Sequence, residues 1–477
     1  MKKFFAKVVL VTLCSTQLVF AGIDHYWSGQ FGGSASLLGG SNIASISDAS
    51  ATFYNPGALG RVEGTEVSFN GNGYGIENQK IKGGAGPNTD LKTTNVLIFP
   101  TLIAGVKKFS DDSNHVFAYS LLTRNKFSSF LNGRRDEQID VLDNNVSPGL
   151  EEYVGQYSSS TEINEIWAGL SWAARLTDNM SFGTTAYVGY LKHSAFSSIA
   201  VRAIDNNFSV ALTDLSLLAD FYNIRGLLKL GIAYELEKMM VGLTYTTKSY
   251  NLTGSGTTAG DFTASNIIQG FDNNNNPVFL SFVGNDRQED LNSNYKSPDS
   301  VALGIEVPLE NDVLISATIE HFFPVSRYQV NSPASKDFFR PSNAFTDNDS
   351  KDIIGLSDAR KSVTNVAVGA SLPMGNRFTF LAGFKTDFSS APDSEAPAIG
   401  VVYSEWDIFH ASSGVEWKRK NETVSAGIIY SFSFEKSINA DANFDNPTAE
   451  GLLLGPDTKA KASFSSFLLN IGYTKHF

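Results

Sequence analysis

The sequence predicts an all-β fold: a transmembrane antiparallel β-barrel of about 14 strands. Three observations predict it. The chain opens on an export leader, apolar residues alternate with small or polar ones at period two along most of its length, and very short connections alternate with long ones.

The leader comes first. Met1, Lys2 and Lys3 precede the apolar run Phe4 to Ala21, whose Val19-Phe20-Ala21 ending suits signal peptidase, so residues 1–21 read as a signal peptide and the mature chain starts near Gly22. The run is shorter than the roughly 20 residues of a spanning helix, and Lys7 interrupts it. Cys14 would be the modified cysteine of a lipoprotein leader, but Leu13 before it is larger than the small residue such a site prefers. Beyond the leader there is no cysteine, which leaves neither a disulfide framework nor a thiolate metal site. Loss of Lys2, Lys3 and Lys7 takes the formal charge of the chain from −12 to about −15, and a polyanion such as nucleic acid is repelled.

The barrel follows from periodicity. Strands are expected at 65–79, 92–108, 115–129, 161–176, 180–195, 223–237, 240–252, 298–309, 313–327, 362–373, 377–389, 407–418, 423–436 and 463–477. In the clearest pair, Ile224, Leu228, Leu230, Ile232, Tyr234 and Leu236 fall on one face and Arg225, Lys229, Gly231, Ala233 and Glu235 on the other. Val241, Leu243 and Tyr245 then continue opposite Gly242, Thr244, Thr246 and Lys248. Period two alone fits a soluble sandwich equally well. Connections separate the two. The turns "SDDSN", "TDN", "EK", "END", "MGN" and "KNE" alternate with long polar loops near 80–91, 130–160, 196–222, 253–297, 328–361, 390–406 and 437–462, the segregation of periplasmic turns from extracellular loops. The strands also reach the length needed to cross a bilayer at a tilt, and an open edge in hydrocarbon would leave backbone groups unpaired at several kcal/mol each. In the last strand Phe467, Leu469, Ile471, Tyr473 and the terminal Phe477 share one face, with Lys475 among them at the expected membrane boundary. This resembles the C-terminal signature by which the barrel-insertion machinery takes up outer-membrane barrels.

Before the first strand, residues 22–62 form a separate segment, and residues 63–477 the barrel. Its stretch "GSASLLGGSNIASISDASATFYNPGALG" closely resembles the N-terminal hatch of the FadL family, outer-membrane transporters of long-chain fatty acids and other hydrophobic compounds. Asp48, Ala49, Ser50, Phe53, Tyr54, Asn55 and Pro56 carry the match, and Gly57 stands where the family has Ala, a mild change that allows more backbone freedom. "VLIFPTLIAGVKK" with Pro100, the middle hairpin from Lys229 to Tyr250 and the stretch from Tyr295 to Tyr328 extend the resemblance over the mature chain, with Phe322-Phe323-Pro324 where the family commonly has Trp.

The resemblance implies a lumen plugged by the hatch, capture of an apolar substrate among the extracellular loops, an interior pocket, and sideways release into the outer leaflet through a gap at a kink in the third strand. That logic has a physical basis, because exposing an acyl chain to water costs about 0.8 kcal/mol per CH₂. The third strand here, "HVFAYSLLTRNKFSS", holds no proline or glycine to mark the kink. The expected role of Asn55-Pro56-Gly57 is that of a plug and gating turn, against the simpler one of a rigid entry into the barrel.

For substrate contact, the inward faces offer Arg225, Lys229, Lys248 and Lys385 as partners for a carboxylate headgroup, with Glu235, Glu306, Glu320 and Asp387 as their alternative partners in a polar lumen network. Val210, Leu212, Leu215, Leu218, Ala219 and Phe221 recur at near-helical spacing in a long loop, and a short amphipathic helix there would dock an apolar ligand or cap the barrel. The six histidines are scattered, no nucleophile elbow, zinc-helix motif or phosphate loop occurs, and "FDNNNNP" and "NDRQED" lack the spacing of a calcium loop, so neither an enzyme nor a cofactor is expected. The favoured reading is a passive transporter of fatty acids or similar hydrophobic small molecules, set among outer-membrane lipid and lipopolysaccharide. The rival is an adhesin or receptor that uses the barrel as a platform for its loops. A diffusion porin conflicts with a plug.

Overall fold

A computed structural model describes residues 24–108, 110, 113–342, 345, 348–392, 399–400 and 406–477, and the expected signal peptide lies outside them. The strands are β1 (Glu66–Lys82), β2 (Leu91–Lys108), β3 (His115–Ile139), β4 (Glu151–Arg175), β5 (Met180–Ile204), β6 (Val210–Leu236) and β7 (Met239–Thr246). They continue as β8 (Tyr250–Phe271), β9 (Pro277–Asn292), β10 (Ser300–Pro308), β11 (Leu314–Phe322), β12 (Val325–Asn331), β13 (Phe339–Arg340) and β14 (Leu356–Arg360). The last are β15 (Val363–Met374), β16 (Phe378–Asp387), β17 (Ile399–Gly400), β18 (Ile408–Arg419), β19 (Glu422–Phe432), β20 (Lys436–Asn439) and β21 (Lys459–His476).

Fourteen of these close an antiparallel ring. It runs β1 to β7, then β10, β11, β15, β16, β18, β19 and β21, and β21 returns to pair with β1 from Glu66 opposite His476 to Lys82 opposite Lys461. Closure leaves no free edge at the level of the ring. Side chains obey the expected alternation. Leu228, Leu230, Tyr234, Leu243 and Tyr245 are exposed outward while Arg225, Lys229, Ala233 and Thr244 are buried inside, and the outward set of the last strand, Phe467 to Tyr473, is likewise exposed. An apolar belt of this extent is suited to hydrocarbon and not to water. Lys475, expected to snorkel, makes an ion pair with Glu422 at 3.1 Å.

Two expectations are corrected. Much of the predicted long loops is strand: β3 to β6 run 25–27 residues, and β8 and β9 form a further hairpin paired to the upper part of β6. At about 3.3 Å per residue, 25 residues span on the order of 80 Å, far more than a tilted crossing needs, so these hairpins rise above the belt as a sheet whose inner face packs on connecting segments around Phe338 and Phe444. Above the belt the outer face turns polar and loses the cue that marks a lipid-facing strand, but backbone pairing continues. The expected helix over Val210 to Phe221 is also strand, the first half of β6. Ala211, Thr213, Leu215, Ala219 and Phe221 point inward, and the partners β5 and β8 on either side fix the period at two.

The interior has two main apolar bodies. One lies beneath the tall hairpins around Tyr153, Tyr157, Phe262, Phe338, Phe339 and Phe444. The other, around Phe31, Leu59, Leu102, Val116, Trp167 and Tyr187, joins the N-terminal segment to the wall.

Candidate functional site

The N-terminal segment fills the lower lumen and docks on glycines. Four cross-strand pairs, Gly183 with Gly231, Gly242 with Gly304, Gly369 with Gly383, and Gly414 with Gly427, lie directly opposite each other in the ladders. A Cβ at Gly183 would strike the Pro56 carbonyl, one at Gly231 the Asn55 side chain, one at Gly242 the Ile43 carbonyl at 2.6 Å, and one at Gly414 the Leu37 side chain at 2.7 Å. The wall is flat where hatch backbone must touch it.

The signature residues build that contact. Asn55 Nδ2 donates to the carbonyls of Ile43 at 2.8 Å and Ile232 at 3.0 Å, while its Oδ1 accepts from Gly57 N at 3.0 Å. The turn is thereby fastened to β6. A Cβ on Gly57 would lie 2.5 Å from the Gly231 carbonyl oxygen, and its φ is not positive, so glycine is required there by close approach to the wall and not by backbone freedom. Asp48 Oδ1 accepts from Ser50 N at 2.8 Å and from the Ser50 hydroxyl, and burial pushes its carboxyl above the usual carboxylate range. Ala49 is buried, and Phe53 and Tyr54 pack on Phe31 with ring centroids 4.4 and 6.4 Å away.

The acids that sequence offered as partners of the lumen cations bond the hatch instead. Glu235 pairs with Arg61, Glu306 accepts from the Ser45 hydroxyl at 2.5 Å, Glu320 from Trp27 Nε1 at 2.6 Å, and Asp387 from Trp27 N at 2.9 Å.

Above the hatch are two adjoining cavities. The inner one, about 800 Å³ with its solvent-open part, is lined by Trp27, Phe53, Trp167, Leu227, Tyr295 and Phe322, with Arg225 and Lys229 among its polar groups. The outer one, about 860 Å³ on the same measure, is lined by Leu97, Phe99, Thr123, Phe127 and Leu468. Arg124 lines both. Its Nη2 donates to the Tyr26 carbonyl at 2.5 Å, and its guanidinium lies over Phe53 at 5.7 Å and Trp167 at 5.4 Å.

The outer cavity abuts a break in the wall. Pairing between β2 and β3 runs only from Lys108 opposite Val116 to Leu102 opposite Leu122, although β2 stays paired to β1 as far as Leu91 and β3 to β4 as far as Ile139. Pro100, which lacks a donor, stands on β2 at the break, and on β3 the register slips between Thr123 and Asn125, leaving Arg124 as a bulge. Across the break the bonds pass through side chains: the Thr123 hydroxyl to the Pro100 carbonyl at 2.8 Å, and Asn95 Nδ2 to the Ser128 carbonyl.

Of the predicted contact residues, Arg225 and Lys229 line the inner cavity, and Lys229 and Lys385 line a third, smaller one beneath it. Arg225 is fully buried and bonded to Glu165 at 2.5 Å and to the Ser297 hydroxyl at 3.1 Å. Lys385 donates to the Trp27 carbonyl and so tethers the hatch. Lys229 has no carboxylate within ion-pair distance among the described residues, and its Nζ lies 5.0 Å from the Phe53 ring. Lys248 is exposed at the turn from β7 to β8, away from all three. Leu215 belongs to the apolar body beneath the tall hairpins, Leu218 lies opposite the outward Phe196, and Phe221 packs on His193 and Tyr295 behind the cavity wall. Sequence reasoning missed Tyr26, Trp27, Arg124 and Trp167. The dense "DHYW" at Asp24 to Trp27 was the available signal.

Solved structures share this fold. The toluene transporter TodX of Pseudomonas putida matches with a TM-score of 0.57 and 13% identity, over 94% of this chain and 99% of its own. A FadL homologue of Pseudomonas aeruginosa gives 0.56 and 14%, over 95% and 100%, and the monoaromatic hydrocarbon channel CymD 0.52 and 14%, over 94% and 98%. No protein-family model and no curated relative matches the sequence. The likeness establishes the FadL/TodX-type barrel fold that the hatch sequence implies.

Proposed function

We propose that the chain is an outer-membrane channel that takes up hydrophobic small molecules, long-chain fatty acids among them, and releases them sideways between β2 and β3. The observation that carries the reading is the outer cavity: it lies beside a stretch of wall with no backbone ladder, above a lumen closed by the hatch. Passage down a water-filled pore would expose an acyl chain at about 0.8 kcal/mol per CH₂, whereas passage through the wall keeps it in apolar surroundings. Structural neighbours that carry hydrocarbons support the same class of cargo. Trp27, Phe53, Trp167 and Leu227 receive the apolar part, and Lys229 and Arg124 face a carboxylate if the cargo has one. Arg124, clamped by Phe53 and the Tyr26 carbonyl, divides the inner cavity from the exit, so a shift of the hatch opens the way between them.

The test is uptake of labelled long-chain fatty acid and of a labelled aromatic hydrocarbon by cells carrying the chain or a variant lacking residues 22–59. Uptake above the empty-vector level for at least one cargo, altered by the deletion, is expected. Equal uptake with and without the protein overturns the transport reading and leaves the platform reading, to which the tall extracellular hairpins lend support.

A further inference from the structure

The outer wall beside the break carries its own pattern. Cross-strand register sorts the outward side chains of β2, β1 and β21 into rows. Val96, Ile76 and Phe467 form an apolar row, and Thr94, Asn78 and Ser465 a neutral polar row above it. Next come Lys92, Lys80 and Ser463, then Lys82 opposite Lys461, and Lys459 beyond. Five lysines thus occupy one contiguous face. Among the described residues the carboxylates within ion-pair distance of them are Asp90, 3.4 Å from Lys80, and Glu435, 2.7 Å from Lys82 and 4.0 Å from Lys461. The face is net cationic on a chain whose formal charge is −12. On β5 and β6 two cations each have a carboxylate of their own, Lys192 with Asp220, and Arg202 with Asp214 at 2.9 Å.

The height of the lysines identifies what they meet. Lys80 stands four residues above Ile76 on the same face, which at about 3.3 Å per residue and a tilt near 40° places it roughly 10 Å above the last apolar row. That is the headgroup layer. The side chains of Lys80, Lys82 and Lys461 are 48%, 50% and 66% exposed, so each can reach outward.

We infer that this face is a binding site for the phosphate groups of the outer-leaflet glycolipid, lipopolysaccharide, held at the rim of the wall break. The inference rests on the membrane placement proposed above but not on transport. Ammonium groups at this spacing give point charges to separate phosphates, and each contributes as a basic residue near an anionic lipid surface does. A lipid fixed here closes the outer side of the break next to β2.

Binding is measured on the full chain purified in detergent, by native mass spectrometry and by thermal shift, with three additives: bisphosphorylated lipid A, the same lipid dephosphorylated, and inorganic phosphate. The expected result is binding of the phosphorylated lipid alone, weakened on the order of tenfold or more in Lys80→Gln/Lys92→Gln/Lys461→Gln. A control pair at the opposite end, Lys238→Gln/Lys420→Gln, leaves it unchanged. Heat-modifiable gel mobility verifies that each variant is a folded barrel. Equal binding of the dephosphorylated lipid, equal occupancy by inorganic phosphate, or no response to the triple substitution overturns the site. Uptake is scored separately, so failure of transport leaves this result standing.

Discussion

The arc of wall from β5 to β19 and the seam between β2 and β3 face the same lumen in opposite ways. Along the arc every neighbour is paired, glycines flatten the inner surface, and carboxylates on β6, β10, β11 and β16 hold hatch donors. At the seam pairing stops at Leu102 and Leu122, and an arginine bulge leans on hatch rings and a hatch carbonyl. The arc fixes the plug by geometry that a single methyl group would spoil, whereas the seam is held by a few side-chain contacts.

The largest effect is expected from spoiling the arc. Gly231→Val puts side-chain atoms where the Asn55 side chain and Gly57 N sit, and Asn55 is held there by its three hydrogen bonds. Overpacking of this kind costs about 1–3 kcal/mol, enough to raise the undocked fraction of the hatch roughly 5- to 150-fold. Planar-bilayer conductance and sensitivity of cells to large hydrophilic antibiotics should rise, with heat-modifiable mobility intact. A conductance equal to that of the parent chain would show that the plug does not depend on the Gly183–Gly231 seat.

Closing the seam should come next. Asn95 Nδ2 reaches the Ser128 carbonyl across it, Ser129 next in β3 shares the lumen face with Asn95, and the sequence beyond Cys14 holds no cysteine, so Asn95→Cys/Ser129→Cys introduces the sole thiol pair of the mature chain. Oxidised cells should take up fatty acid at the empty-vector rate and recover with dithiothreitol. Uptake indifferent to oxidation would move the exit elsewhere.

A smaller change is expected at the divider. Arg124→Met keeps length but removes the bond to the Tyr26 carbonyl and the charge over Phe53 and Trp167, each contact contributing about 0.5–2 kcal/mol. A neutral aromatic should enter several-fold faster, a fatty acid should bind less tightly, and Arg124→Lys should fall between. Parallel changes for both cargoes would mean that the residue is a spacer and not a charge partner.

The same contrast explains what could be seen in the sequence. The ring strands were legible because lipid on one side forces period two, and the inward cations Arg225, Lys229 and Lys385 followed from parity. The upper halves of β4 and β5 were not, since above the belt both faces hold Ser, Gln and Thr beside scattered apolar residues, and no solvent contrast marks the alternation. The segment Val210–Phe221 misled because inward Leu215 and Phe221 and outward Leu212 and Leu218 together mimic a period near 3.6. The break escaped notice for a different reason. Between His115 and Ser129 the third strand carries no proline or glycine to mark it; the missing donor is Pro100 of the second, and the bulge at Arg124 arises from pairing that a single strand does not encode.

Asp48 offers the finest adjustment of how firmly the plug sits. Burial raises its pKa, opposed by hydrogen bonds from Ser50. An acid whose pKa is higher in the folded than in the unfolded chain binds more protons when folded, so its contribution is most favourable at low pH and declines as pH rises from the ordinary carboxylate value near 4 through the raised one. The hatch should therefore be seated more firmly in mild acid than at neutrality. Asp48→Asn keeps an acceptor for Ser50 without the charge and should flatten the dependence, with a difference in melting temperature between pH 4 and pH 7 smaller by on the order of a few °C. An unaltered pH profile would place the sensitivity in the wall and leave the arc, and not the hatch's own carboxylate, as what sets the strength of the plug.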